Sequence, residues 1–266
     1  MTPDWLSVRR ADTPLILCMP HGGTDLAGLD DVFVSPWLAR RDADWHIAAL
    51  YDGLAEATVV STAISRSVID VNRDPSGASL YPGQATTELC PTTTFDGAPL
   101  YRGEGPGAAE VARRRAAFFD PYHAALAHEI ARLRTRHERV VVYDCHSIRS
   151  VVPRLFGGLL PVYNIGTNAG TTCDPALSDA VATVCASSGR SYVVDGRFRG
   201  GWTTRHYGRP SEGVHAIQME IAMRGYVRSD RSPTPDVWPP DYDATAATQS
   251  RATLANILSA CLEFAR

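Results

Sequence analysis

A chain of 266 residues, 44% of them apolar and 21% charged, has an ordinary folded composition, which excludes coiled coil, collagen-like repeats and extended disorder. A formal net charge of -3 gives no overall attraction to nucleic acid or to an anionic membrane, so neither is expected as a partner. No run of ~18 apolar residues offers a membrane span, and the opening MTPDWLSVRRADTPLILCMP lacks the features of a secretion signal, so a cytoplasmic location is expected. The length suits one large α/β domain, 1–266, with a core that needs no staple. The six cysteines, Cys18, Cys90, Cys145, Cys173, Cys185 and Cys261, form no CxxC pair and are expected to be free, buried thiols.

In chain order, residues 15–19 read as a strand that runs into Pro20-His21-Gly22-Gly23. A histidine there projects over the carboxyl edge of the sheet, where open α/β folds place ligands, and the glycines let a ligand approach the backbone. A tight turn with a capping histidine would show the same residues. Residues 44–57 carry apolar side chains at helical spacing, and strands are expected at 58–62 and 68–71. The stretch 74–107, rich in Gly, Pro, Ser and Thr, reads as a long ordered loop of the kind that lines active sites. A long helix over 108–137 leads to a strand over 140–144, which ends in Asp144-Cys145-His146-Ser147. Residues 164–172 read as a second loop, and Asp174 as the N-cap of a helix over 175–188 with Pro175 at its first position. Strands at 192–194 and 216–221, a surface connection at 228–240 and a helix at 244–265 complete the chain. This alternation predicts an α/β fold with a mixed or parallel central sheet flanked by helices.

Two strand-end histidines on one sheet, His21 and His146, can point into one crevice, and imidazole is the commonest neutral ligand of Zn²⁺. A catalytic zinc usually has three protein ligands and an open position, so a carboxylate is sought as the third. Asp44 is the first choice, although an acid at a helix start is also favoured by the helix dipole alone. Asp25 and Asp42 are alternatives, and His46 either lines the pocket or takes Asp44's place. Such a ligand set also accepts Mn, Fe or Co. A hydrolytic site further needs a base for the attacking water, and Glu220 fits, since alternation along His215-Ala216-Ile217-Gln218-Met219-Glu220-Ile221 puts it beside Gln218 and away from Met219 and Ile221. Arginines cluster at Arg66, at Arg73 after Asn72, and through the glycine-flanked run 196–208 that contains Arg197, Arg199 and Arg205. Each alone also suits a surface residue or a structural ion pair, but around a zinc pocket they imply a small-molecule substrate bearing carboxylates.

Six ordered blocks, Pro20-His21-Gly22-Gly23, Asp42-Ala43-Asp44-Trp45-His46, Ser65-Arg66 with Val68-Ile69-Asp70-Val71-Asn72-Arg73, Asp144-Cys145-His146-Ser147-Ile148-Arg149, the 196–208 run and His215-Ala216-Ile217-Gln218-Met219-Glu220, resemble the N-formylglutamate amidohydrolases of histidine degradation over residues 10–228. The resemblance implies the fold of zinc carboxypeptidases, phosphorylase-hydrolases and aspartoacylase, and a zinc-dependent deformylase that releases formate and L-glutamate from N-formyl-L-glutamate. It places His21 and His146 at the zinc histidines and Glu220 at the catalytic glutamate. Asn72-Arg73 then resembles a carboxylate-holding pair, with Arg66, Arg205 and His46 as further substrate contacts. Where carboxypeptidases carry His-x-x-Glu, the third residue after His21 is Thr24, so Asp44 is carried as the metal ligand. A related amidohydrolase for another N-acylated acidic amino acid, or a metal-free binder of acidic amino acids using the same arginines, is the competing expectation. The oligomeric state does not follow from the sequence.

Overall fold

Seven strands build one mixed sheet in the order β1-β3-β2-β4-β7-β5-β6 in the computed structural model, which describes residues 3–231 and 233–266. The strands are β1 (Leu6–Arg9), β2 (Leu15–Met19), β3 (Thr58–Thr62), β4 (Val140–Ile148), β5 (Tyr163–Gly166), β6 (Tyr192–Val194) and β7 (Val214–Ala222). The helices are α1 (Pro36–Arg40), α2 (Ile47–Tyr51), α3 (Ala108–Arg114), α4 (Asp120–Arg134), α5 (Pro175–Ser187), α6 (Trp202–Tyr207) and α7 (Ala244–Phe264). Strands β3, β2, β4 and β7 are parallel neighbours, whereas β1 runs antiparallel to β3 and β5 antiparallel to β7, with β6 parallel to β5. The expected α/β fold with a mixed sheet between helices is therefore the observed one. None of the described helices is long and apolar enough to cross a membrane, and all six cysteines are free and buried.

Alternation along β4 and β7 divides the core into two layers. Val141, Tyr143 and Cys145 share a face with Ile217, Met219 and Ile221 and pack in one apolar cluster with Leu177 and Val181 of α5 and Leu254, Ile257 and Leu258 of α7. On the opposite face Val140, Val142, Val214 and Ala216 pack against Tyr122, Leu126 and Leu133 of α4. Each such large side chain, fully buried, contributes roughly 1.5–3 kcal/mol of transfer free energy. Toward the carboxyl ends this second face changes character: Asp144 and His146 follow Val142, and Gln218 and Glu220 follow Ala216. All four are buried, and the register sets His146 directly opposite Glu220. The apolar half of the face anchors the sheet under α4, and the polar half forms a floor beneath the loops.

Three expectations are corrected. Residues 68–71 are not a strand: Val68 and Ile69 donate to the Ser65 carbonyl at 2.9 and 3.4 Å, and Arg73 donates to that of Asp70 at 3.1 Å. The apolar run is buried, but successive turns bury it without a partner strand. The helix expected over 44–57 shrinks to α2, because His46 is left-handed at φ 62° and Gly53 at φ 70° ends any continuation. Residues 164–166 belong to β5, so the second loop starts later than expected. The cap at Asp174 is as expected, its carboxylate accepting from Ala176 N–H at 2.9 Å.

Gly23 shows how tightly the turn after β2 is built. A Cβ there would collide with the backbone of Ala63 and the carbonyl of Ile64, while Asp25 donates to Ala63 O at 2.8 Å. Gly23→Ala should lower stability by about 1–3 kcal/mol, the usual size of an overpacking penalty. Thermal melting would check this, and an unchanged midpoint would show that the turn yields.

Candidate metal centre

His21 lies two residues beyond the end of β2, and His146 lies within β4, so adjacent parallel strands carry the two rings to one place. Their Nδ1 atoms are 3.1 Å apart. Asp44 reaches the same point from the loop before α2, where its N–H donates to the His21 carbonyl at 2.9 Å. Its Oδ2 lies 3.2 Å from His146 Nδ1 and 3.8 Å from His21 Nδ1, and accepts the Ser147 N–H at 3.1 Å. One ligand atom from each of the three residues falls within 4.8 Å of the others.

The outer nitrogens explain how the rings face one another. His21 Nε2 is 2.7 Å from Asp70 Oδ1, and His146 Nε2 is 3.0 Å from Asp144 Oδ2. An ionised carboxylate only accepts, so in the neutral rings Nε2 carries the proton and Nδ1 keeps a lone pair; the tautomer is assigned from these partners. Two nitrogen lone pairs and a carboxylate oxygen then converge at a buried point on the cavity wall, and, among the described residues, Asp44 Oδ1 has no hydrogen-bond partner. That donor set repels itself unless a cation or a proton sits among it. Two imidazoles oriented by carboxylates and a third, carboxylate ligand match a divalent cation such as zinc.

Without a cation, the two histidines separate electrically. Burial and the charge of Arg66 push His21 down to about 4. Burial also opposes protonation of His146, but Asp144 and Asp44 overcome it and hold that ring well above its ordinary value. Asp70, despite its burial, is held well below the usual carboxylate range by Arg73, His21 and Arg66. A cation at this point would compete with a proton on His146. Glu220 sits across the register from His146 and, among the described residues, only the Gln218 amide donates to it, at 3.5 Å. Burial raises its carboxyl to about 8, with Asp44 adding and His146 opposing.

The other expected site residues are distributed unevenly. Asn72 lines the cavity, but its amide is occupied, donating to Asp144 at 3.0 Å and accepting from Thr203 N–H at 2.7 Å. Arg66 lines it as well, with Nη2 on Asp70 at 2.8 Å and its guanidinium over the Phe95 ring. Arg73 lies on the wall, held by Thr87 O at 3.1 Å and 3.7 Å from Asp70. Arg205 does not line the cavity: α6 carries it behind Tyr81, where it donates to Gly200 O at 3.0 Å. His46 turns away, its Nε2 2.7 Å from Pro240 O. Asp25 is exposed and caps its own turn at Ala27 N, and Asp42 binds Arg41 and the Phe95 N–H. Three groups at the site carry no individual role in the sequence reading: Asp70, Asp144 and Arg197. Asp144 was signalled by its place two residues before His146 on one strand face; Arg197 had no mark beyond membership of the arginine run.

Comparison with known proteins points in one direction. Residues 13–227 match the N-formylglutamate amidohydrolase family. The chain is 44% identical over 266 residues to the N-formylglutamate deformylase of Pseudomonas aeruginosa, an alignment covering 98% of this chain and 97% of that protein. It is 40% identical over 262 residues to the N-formylglutamate deformylase of Pseudomonas putida, covering 97% and 95%. The crystal structure of N-formylglutamate amidohydrolase from Ralstonia eutropha superposes with a TM-score of 0.79 at 26% identity, over 100% of this chain and 99% of the other. A gene product of Agrobacterium tumefaciens shares the fold, with a TM-score of 0.71 at 18% identity over 99% and 96%.

The raised carboxyl of Glu220 has a consequence for stability. A group that binds its proton more tightly in the folded than in the unfolded chain stabilises fully below its unfolded value, and that contribution is lost as pH rises through the folded value. For Glu220 the window runs from about 4.5 to about 8. In urea melts of chelated protein, the wild type should therefore lose more stability across this window than Glu220→Gln. Parallel curves would place the Glu220 carboxyl in a wetter setting.

Proposed function

Because this chain belongs to the N-formylglutamate amidohydrolase family, we propose that it hydrolyses N-formyl-L-glutamate to formate and L-glutamate at a site holding one divalent cation, zinc in the first instance. The observation that carries the metal reading is the convergence of His21 Nδ1, His146 Nδ1 and Asp44 Oδ2, with both rings oriented from behind by buried carboxylates. A cation held by these three would polarise the formyl carbonyl and acidify a nearby water.

The protein's own groups supply the rest. Glu220, in the ionised form that a cation beside it would favour, takes a proton from the attacking water as the water oxygen bonds to the formyl carbon. It delivers that proton to the amide nitrogen as the carbon–nitrogen bond breaks, so formate and the free amine leave together. Arg66, on the cavity wall, provides positive charge beside the developing oxyanion. Arg73 holds the α-carboxylate, which must lie close to the reacting amide and hence close to the Asp70 side of the cavity. Asn72 acts from behind, donating to the Asp144 carboxylate that faces His146 Nε2, so that the ring keeps its angle. In this reading the enzyme works in the cytoplasm on formylglutamate derived from histidine.

Formate release by the purified protein is the direct assay, with N-formyl-L-aspartate and N-acetyl-L-glutamate as comparison substrates. Glu220→Gln should keep its bound metal while turnover falls by ~10² or more, the usual scale of a general base. Near-normal turnover in that variant would remove Glu220 from the mechanism. Faster release from either comparison substrate would shift the assignment to a related amidohydrolase.

A further inference from the structure

Arg197 stands in the loop between β6 and α6 and lines the same cavity as His21, His146 and Glu220. Its Nε donates to Leu155 O at 2.7 Å and its Nη2 to Ala85 O at 2.6 Å. The rings of Tyr81 and Phe198 lie 5.0 and 5.4 Å from the guanidinium carbon. Carbonyls from two separate wall segments and two aromatic faces thus fix the planar fork in one attitude. The remaining nitrogen, Nη1, is buried with no hydrogen-bond partner. A buried guanidinium donor left unpaired is costly, and such atoms call for an explanation.

The charge is also unmatched. Arg66 and Arg73 both face Asp70, at 2.8 and 3.7 Å, whereas among the described residues no acidic side chain pairs with Arg197. Burial pulls its guanidinium below the ordinary arginine value and the charge of Arg73 adds to this, while Tyr81 and Glu220 offset it only in part. An anion from outside would satisfy both the charge and the vacant donor. Its position relative to the reaction follows from what holds it. Arg73 leans on the carboxylate that orients His21, while Arg197 is braced by wall segments at Ala85 and Leu155, neither of which, among the described residues, hydrogen-bonds to either histidine ring.

We propose that Arg197 is the receptor for the substrate carboxylate remote from the scissile amide, and that it selects N-acyl amino acids with an anionic side chain over their neutral isosteres. The inference rests on the reading of this cavity as an N-formylglutamate site. N-formyl-L-glutamine is the discriminating probe, because it replaces only the remote carboxylate with an uncharged amide of the same shape. The wild type should favour formylglutamate in kcat/KM by ~10² or more, the scale of a buried charge-assisted contact.

Arg197→Gln should lower kcat/KM for formylglutamate ~10²-fold more than for formylglutamine, collapsing the preference. Arg197→Lys, which keeps charge but loses the fork, should retain part of it. Equal losses on both substrates would overturn the proposal and leave Arg197 as a brace for the Ala85 and Leu155 segments. If Arg197→Gln does not fold, the unmodified protein still decides: similar kcat/KM for the two substrates overturns the proposal. Formate release from neither substrate by the wild type would sink the underlying function as well, an outcome distinct from activity without preference.

Discussion

Two imidazole nitrogens 3.1 Å apart, facing a buried carboxylate, are an arrangement that the protein cannot hold without positive charge between them. Everything nearby either enforces that confrontation or uses it. Asp70 and Asp144 fix the rings from behind, so that neither can relax by rotating its lone pair away. Arg66 in turn neutralises Asp70 and lies 3.6 Å from Asp44, which lets three carboxylates occupy one dry region. The strain of bringing like donors together is carried by rigid elements, since β2 and β4 are hydrogen-bonded neighbours with buried residues on both faces.

The sheet does this by a change of composition along one face. Val140 and Val142, then Asp144 and His146, share that face of β4, and Val214, Ala216, Gln218 and Glu220 share the matching face of β7. The valines lock the strands under α4, and the same pleat delivers the polar residues to the cavity floor in fixed register. A base that must reach a water near His146 therefore comes from the strand next door and needs no loop to place it. Loops instead supply the walls: Phe95 comes from the long 74–107 segment, held by its N–H on Asp42, and Arg197 from the segment before α6.

How much of this could be read from the sequence depended on where each group sits. Residues at the ends of strongly apolar strands were legible, because a polar residue embedded in such a run has few other reasons to be there; His21, His146 and Glu220 are of this kind. Asp44 is marked in the sequence only by its chemistry and is brought to the histidines, although the helix expected to begin there is cut short by the left-handed His46. Asp70 was hidden because residues 68–71 look like a strand, whereas turns capped by Ser65 and Asp70 bury the same side chains. Strand β1 is a four-residue edge with alternating exposure, and β5 lies in a stretch rich in Asn, Gly and Thr, so neither carried a periodic signal. Arg205 and Arg197 were indistinguishable as members of one run; the short helix α6 turns the first behind Tyr81 and leaves the second on the wall.

The central claim, that His21, Asp44 and His146 are one cation site, is tested most directly by measuring metal content. Elemental analysis of the purified wild type and of folded Asp44→Asn and His146→Gln variants should give about one equivalent of zinc or a similar divalent ion per wild-type chain, with marked loss in each variant. A wild type that neither retains nor takes up a divalent ion, or variants that bind it as tightly, would contradict the account.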